Sequence, residues 1–434
     1  MLVHQLAQGL GLLGLLCQGV HLDWQLAAQE QVRAGDSYTP GVQGSNTLSF
    51  SEIIAPSAQG HLTALKADQD LLLRYQPRFL DTLQVVRGGG HRWTGWSQMH
   101  RVLVQYQAGE ERTARLRSSV NLAMGKLDIS EPDALVAESG FLPGQLGTLV
   151  NYTNLNGMVS LTHKTRRYLR LSSTQTVGMI QYPARPGIGY FGDMPGATQT
   201  GSTGNETQYR IDSRNEAEII LGQAHSLFAD GELLDVSYRS TASYPGFMIT
   251  AGYGHTASTL SRLRLDGGIM KYWTNPAPGI IKKPQYLPIV SATFDHTFTS
   301  WGMPHLTAHA VASLKPYFNL QYSSLEPRTT LQLQLSYAAS RRLSVMGSAR
   351  LLSSMVGSLT HWERLPGGHP KNIFLLNVGV HYNWREILIF DCNAYGSDQT
   401  YVTSATTPFG ELRQVYVMLG LRGTWQSRAR GSHG

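Results

Sequence analysis

Short segments in which apolar and polar residues alternate recur along nearly the whole chain. The cleanest example runs from Leu331 to Tyr337, where the Leu and Tyr residues alternate with Gln and Ser. Successive side chains of a β-strand point to opposite faces, so this pattern predicts strands with one apolar and one polar face. No amphipathic helix of useful length is available to cover the apolar faces. A sheet closed on itself, with lipid outside and water inside, satisfies both faces. The fold class predicted is therefore all-β, a single transmembrane antiparallel up-and-down β-barrel.

The alternating segments predict about 18 strands, with 16 as the alternative count. Short connections such as Lys164–Arg166 alternate with long ones such as Gly125–Asn154 and Val177–Gln208. Short periplasmic turns and longer extracellular loops are typical of outer-membrane barrels, and an even count places both termini on the periplasmic side. The two long connections are candidates for a constriction or a mobile surface loop. The first two strands are predicted near 46–55 and 60–67.

The pattern divides the chain into one barrel with short flanking segments. The barrel is predicted over 46–425, after a periplasmic lead-in at 21–45 and before a tail at 426–434. Residues 1–20 have the Leu- and Gly-rich character of an export signal, although no Lys or Arg precedes Leu10. We interpret them as a degraded or mis-started signal peptide. The alternative is a lipid anchor at Cys17, which the bulky Leu16 before it disfavours.

Composition and charge narrow the classes of function. Lys and Arg number 36 against 29 Asp and Glu, and the charged fraction is only 15%. No run of 18 apolar residues is present, so a transmembrane helix is not expected. The basic residues are spread singly along strands, which fits a channel lining better than a nucleic-acid surface. Two Cys support neither a disulfide framework nor a metal site, and no cofactor is expected.

Strand alternation also predicts which charged residues line the lumen. In 263–266, Leu263 and Leu265 are assigned to lipid and Arg264 and Asp266 to the interior, because an Arg facing lipid at the bilayer midplane costs about 2–4 kcal/mol. The same rule assigns Leu234, Val236 and Tyr238 to lipid. The predicted pore-lining residues are Arg115, Arg117, Arg170, Asp235, Arg239, Arg262, Arg264, Asp266, Arg350 and Arg422.

Two roles are open for these arginines. A guanidinium group binds carboxylate or phosphate in a bidentate manner and stays charged, so a line of arginines would attract an anionic solute or polymer. The alternative is that they form ion pairs with Asp235, Asp266, Glu216 and Glu218 and brace the wall.

Three features that resemble catalytic or metal sites do not predict an enzyme. Asp295 and His296 are adjacent, so on a strand they point to opposite faces. His305 and His309 are about 13 Å apart on an extended strand, too far for one metal ion. Gly35–Ser37 resembles a hydrolase nucleophile segment but precedes the predicted barrel. No catalytic residue is assigned.

The last predicted strand, Val415–Trp425, alternates and ends in an aromatic residue. It resembles the C-terminal assembly signal of bacterial outer-membrane barrels, although Gly423 replaces the usual bulky hydrophobe and a tail follows. Over 46–425 the chain resembles Gram-negative outer-membrane barrels. That resemblance implies an outer-membrane location, contact with outer-membrane lipid and handling by the barrel assembly machinery.

A narrower resemblance rests on two segments, Leu71–Phe79 and Arg262–Leu265. With them the chain resembles the porins that accompany polysaccharide export in myxobacteria and relatives. This resemblance implies passive export of an anionic polysaccharide, with a periplasmic export protein as partner. The alternatives are a solute-uptake porin for small anions and, third, an enzyme or adhesin barrel.

Overall fold

An antiparallel sheet closes on itself to form the wall of the protein in the computed structural model of the chain. In the residues that the structure describes there are 19 strands, all in this sheet. The described residues are 20–38, 46–64, 68–86, 90–93, 95–109, 113–128, 149–165, 168–183, 205–222, 224–239, 243–258, 260–274, 284–299, 306–319, 324–354, 370–384, 388–401 and 411–426. Within these ranges there is no helix long and apolar enough to cross a membrane.

All but one of these strands are long enough to cross a bilayer at a tilt. Their bounds are β1 Val20–Tyr38, β2 Thr47–Ala64, β3 Gln69–Val86, β4 Gly90–Trp93, β5 Ser97–Ala108, β6 Ala114–Asp128, β7 Leu149–Thr165, β8 Leu169–Pro183, β9 Asn205–Leu221, β10 His225–Tyr238, β11 Ser243–Ser258, β12 Ser261–Tyr272, β13 Gln285–Phe298, β14 Leu306–Asn319, β15 Ser324–Ala338, β16 Leu343–Ser354, β17 Pro370–Trp384, β18 Leu388–Tyr401 and β19 Glu411–Gln426. The exception is the short β4.

Each long strand pairs with its neighbours in the chain, and the first pairs with the last. Val32 of β1 lies opposite Leu419 of β19, and this ladder runs from Gln25 to Tyr38. The short β4 pairs only with β3 and adds no strand to the wall, because β3 also pairs with β5. The wall therefore has 18 strands, and the predicted antiparallel barrel is confirmed.

The prediction for the N-terminal part of the barrel was wrong in two places. The two errors offset each other, so the predicted number of strands is still correct. Residues 21–45, assigned to a periplasmic lead-in, contribute β1, which closes the barrel between β19 and β2. The segments predicted near 46–55 and 60–67 are one strand, β2. The ladder from β2 to β3 keeps a single register on both sides of Pro56, so this proline does not mark a turn.

The connections differ in length between the two ends of the barrel. At one end, the short-turn end, they range from the tight turn 259–260 to the segment 299–305, and the strand series both begins and finishes there. The other, the long-loop end, has two short connections, 239–242 and 320–323, but also the much longer connections 129–148 and 184–204. The predicted constriction in these two long connections lies outside the described residues. The asymmetry is that of outer-membrane barrels.

The outer face of the wall is aliphatic on all sides. Leu331 and Leu333 of β15 are exposed by 47% and 46%, and on distant strands Leu233 and Val290 are exposed by 64% and 55%. Water would penalise so large an exposed apolar surface, whereas the hydrocarbon core of a bilayer matches it. The wall is therefore suited to span a membrane.

The departure from the C-terminal assembly signal has a local explanation. Gly423 and Trp425 lie on the same outer face of β19, and a Cβ atom at Gly423 would lie 3.0 Å from the Cη2 atom of Trp425. The indole ring therefore covers the glycine, which restores apolar surface where the side chain is missing. A bulky hydrophobe at 423 would displace this ring.

Candidate functional site

One large cavity identifies the lumen face of the wall. Its volume is about 440 Å³, and side chains from strands as far apart as β8 (Ser172) and β14 (Lys315) line it. Strands that are not neighbours can bound one cavity only on the concave side of a barrel. Paired residues of antiparallel strands share a face, so the register extends this assignment around the ring.

The structure places eight of the ten predicted pore-lining residues on the lumen face of their strands. They are Arg115, Arg117, Arg170, Arg262, Arg264, Asp266, Arg350 and Arg422. In β6, for example, Leu116 and Val120 are exposed on the outer face, so Arg115 and Arg117 point inward. Most of the eight lie near the short-turn ends of their strands.

The face assigned to β10 is wrong. Leu234, Val236 and Tyr238 are buried on the lumen side, whereas Leu227 and Leu233 are exposed on the outer face. Asp235 therefore lies on the outer face, opposite Ile211 of β9. Arg239 follows the end of β10, exposed, with its backbone N–H donating to the Thr207 carbonyl oxygen.

An apolar cluster inside the barrel explains this reversal. Toward the long-loop end the lumen faces of neighbouring strands carry buried residues that pack together. They include Tyr152, Tyr182, Leu234, Val236, Tyr238, Tyr244, Met270, Tyr272, Leu287 and Ile289. From Leu234 onward the lumen face of β10 is apolar while its outer face carries Asp235 and Ser237, so hydrophobicity alone indicates the wrong face there.

The wall around β8–β12 carries lumen arginines that are matched by carboxylates. We call it the ion-pair wall. The guanidinium of Arg214 lies 2.6 Å from Asp230 and 3.4 Å from Glu216, and that of Arg264 lies 3.4 Å from Glu216. Arg264 also stacks on the ring of Phe228, 3.7 Å from its centroid. Further pairs join Arg170 to Glu218 at 3.7 Å and Arg210 to Asp212 at 2.8 Å.

The opposite wall has a different charge pattern. A cavity of about 420 Å³ lies along β18, β19, β1, β2, β3 and β5, and one of about 180 Å³ lies along β15–β19; the two share Tyr395 and Tyr416. Among the described residues that line them, the only charged side chains are arginines: Arg78, Arg101 and Arg422 in the larger and Arg350 in the smaller. We call these four residues and the two cavities the arginine wall. Asp391, near it on β18, accepts a hydrogen bond from His381.

Histidine–aspartate pairs lie on the lumen face near the short-turn end. The Nδ1 atom of His309 is 2.6 Å from Asp295, because β13 and β14 place the two residues opposite each other. Alternation along a single strand does not show cross-strand partners, so this pair was not predicted. Gly35–Ser37 lies within β1, in extended backbone without a nucleophile elbow. No three potential metal ligands come together among the described residues.

The corrected position of Asp235 can be tested with a matched pair of variants. Asp235→Asn should leave the reversal potential of the protein in planar bilayers unchanged, because the carboxylate faces away from the lumen. Asp266→Asn should increase the preference for anions, because this side chain lines the cavity on the ion-pair wall. Reversal potentials in planar bilayers measure both, and equal shifts for the two variants would contradict the assignment.

The closed 18-stranded wall, its aliphatic outer face and the charged part of its lumen define the class of protein as a membrane-spanning β-barrel. No protein-family model and no curated protein matches the chain. Among solved structures it is similar to OccK7 (OpdD) of Pseudomonas aeruginosa, at 10% identity over 94% of this chain and 99% of that one, with a TM-score of 0.46. A BenF-like porin of Pseudomonas fluorescens matches at 12% identity over 93% and 99%, with a TM-score of 0.44. The siderophore receptor PiuA of Acinetobacter baumannii matches at 8% identity over 93% and 82%, with a TM-score of 0.46.

Proposed function

We propose that the protein is a channel in the outer membrane of a Gram-negative bacterium through which small anionic solutes diffuse passively. The observation that carries this proposal is the arginine wall. Its described lining contains four guanidinium groups and no carboxylate. Guanidinium groups stay charged at all physiological pH values and bind carboxylates or phosphates through paired hydrogen bonds.

The ion-pair wall supports the same proposal by contrast. Its arginines are largely neutralised by Glu216, Glu218, Asp212 and Asp230, so they brace the barrel more than they attract anions. The field within the lumen is then dominated by the arginine wall. Because the Debye length is about 8 Å at physiological salt, that field acts on solutes that pass close to the wall.

Export of an anionic polysaccharide, with a periplasmic export protein as partner, stays a prediction from the resemblance. The proposal for small anions requires only the charges and cavities of the described wall. A polymer would use the same arginine wall, and its passage would additionally require a continuous wide path past the apolar cluster at the long-loop end.

Purified protein in a planar bilayer tests the proposal. Under a tenfold KCl gradient we expect a reversal potential that shows preference for chloride over potassium, by about threefold or more at low salt. The preference should weaken as the salt concentration rises, because screening shortens the range of the arginine charges. A channel that prefers cations, or one without preference, would contradict the proposal.

A further inference from the structure

The two cavities of the arginine wall share an aromatic pair. Tyr395 of β18 and Tyr416 of β19 lie directly opposite each other in the ladder, with ring centroids 4.7 Å apart and an angle of 22° between the rings. Both side chains line both cavities. The two cavities therefore adjoin at the tyrosine pair, and together we call them the groove.

The tyrosine pair is held in place from the side of β1. The guanidinium carbon of Arg33 lies 5.5 Å from the centroid of the Tyr416 ring, and Arg33 donates to Ser51 at 3.1 Å. Arg33 is 1% exposed, so it fixes the ring without meeting solvent. Gly35 stands opposite Tyr416 on β1, so no side chain competes for the space there. Tyr416 is itself only 5% exposed between Tyr395 and Arg33, so the ring of Tyr395 is the accessible part of the pair.

The remaining groups in the groove are hydrogen-bonding groups without a negative charge. Amide side chains line it on both sides of the tyrosines, with Gln29, Gln31 and Gln76 in the larger cavity and Gln332 and Asn377 in the smaller. Hydroxyl groups of Ser57, Ser348 and Ser397 add further donors and acceptors. Amides and hydroxyls both donate and accept, so they suit a ligand that carries several hydroxyl groups.

The floor of the larger cavity has an unusual backbone. The pairs Ile54 with Phe79 and Ala58 with Tyr75 fix the register, which places Pro56 of β2 opposite Pro77 of β3. Proline has no backbone N–H, and the ladder is interrupted at this rung. Both prolines line the larger cavity, so the groove lies against the break in the ladder between β2 and β3.

We infer that this groove is a binding site for an acidic sugar, that is, a pyranose ring with a carboxylate. The C–H face of a pyranose packs on the partly exposed ring of Tyr395, the hydroxyls bond to the amides and serines beside it, and the carboxylate binds Arg350, which lines the smaller cavity together with Tyr395. A plain carboxylate would not use the aromatic ring, and a neutral sugar would not use the arginine, so neither contacts the aromatic, hydrogen-bonding and guanidinium groups together. This inference rests on the proposed anion channel and names the chemical class of its solute.

Blockade of the single-channel current by added solutes tests the inference. Trigalacturonate should interrupt the current at a concentration about tenfold lower than glutarate, which has carboxylates only, or maltotriose, which has sugar rings only. Equal potency of trigalacturonate and glutarate would overturn the sugar site, because charge alone would account for binding. Equal potency of trigalacturonate and maltotriose would overturn the role of the arginines.

Variants of the aromatic pair sharpen the test. Tyr395→Leu should raise the blocking concentration of trigalacturonate about tenfold, and Tyr395→Phe, which keeps the ring, should change it less than twofold. Tyr209→Leu makes the same chemical change on the outer face, where Tyr209 is 47% exposed, and should have no effect. An effect of Tyr209→Leu equal to that of Tyr395→Leu would overturn the assignment.

The outcome separates this inference from the proposed function. If the unmodified channel shows no preference for chloride, the proposed function fails. If it prefers chloride but trigalacturonate blocks no better than glutarate or maltotriose, only the acidic-sugar site fails. If Tyr395→Leu does not fold, the comparison of the three solutes on the unmodified channel still shows whether the acidic-sugar site exists.

Discussion

Replacing Arg101 and Arg422 together by Gln should reduce the chloride preference of the channel by about two- to fivefold at 0.1 M salt. Both side chains line the larger cavity of the arginine wall, whose described lining contains no carboxylate. Removing them lowers the positive potential at the place where an anion approaches the wall. At 1 M salt the difference should nearly vanish, because the Debye length falls to about 3 Å. Reversal potentials at both salt concentrations measure the effect.

Two control variants separate local from general effects of charge. Arg341 and Arg342 lie exposed in the short turn between β15 and β16, so their double replacement by Gln removes two charges outside the lumen. The double variant Arg264→Gln with Glu216→Gln removes from the lumen an ion pair whose charged atoms lie 3.4 Å apart, and it leaves the net charge unchanged. Both controls should keep the original selectivity. A shift as large as that of the Arg101 and Arg422 variant would show that the arginine wall has no special role.

Replacing residues 20–38 by a flexible Gly/Ser segment of equal length should abolish the folded barrel. Removal of β1 leaves 17 of the 18 wall strands, and an odd number places β2 and β19 in the same direction. The antiparallel ladders by which β1 joins these two strands then have no substitute. Protein refolded into detergent should show no compact, heat-modifiable band on a gel and no channel activity in bilayers.

The matched control keeps β1 and changes only its lumen side. Gln29→Ser with Gln31→Ser leaves the outer face and the backbone ladder of β1 intact and should give the normal folded band. If the Gly/Ser variant also folds and conducts, residues 20–38 are not part of the wall. The lead-in predicted from the sequence would then be correct.

The barrel itself could be predicted because each strand is recognised from the residues of a short segment. Alternation over a few residues identifies a strand, and the absence of helices leaves closure as the way to satisfy two unlike faces. The prediction was wrong where alternation is weak. The outer face of β1 carries the small Ala28 and Ala34 and the charged Glu30 between its larger apolar side chains. The alternation of apolar and polar residues is therefore unclear there. In β2 the proline at position 56 suggests a turn, although the pairing of β2 with β3 continues in the same register beyond it.

Arg350 and Arg422 of the arginine wall were predicted to line the lumen, whereas Arg78 and Arg101 were not, for a different reason. Arg101 precedes the run Val102–Val104, so its strand shows no alternation at that point. Arg78 lies within the segment Leu71–Phe79, which indicated only a resemblance. Which arginines have a carboxylate beside them depends on cross-strand neighbours, such as Glu216 beside Arg264. Those neighbours are 48 residues apart in the chain, and only the register brings them together.

The two walls face each other across the lumen and differ in net charge. Electric potential therefore varies across the pore as well as along its axis, and the electric field points from the arginine wall toward the ion-pair wall. A molecule that carries separated positive and negative groups experiences a torque in such a transverse field. In a channel of the proposed kind, the orientation of such a molecule, and not only its size and net charge, then determines how fast it passes.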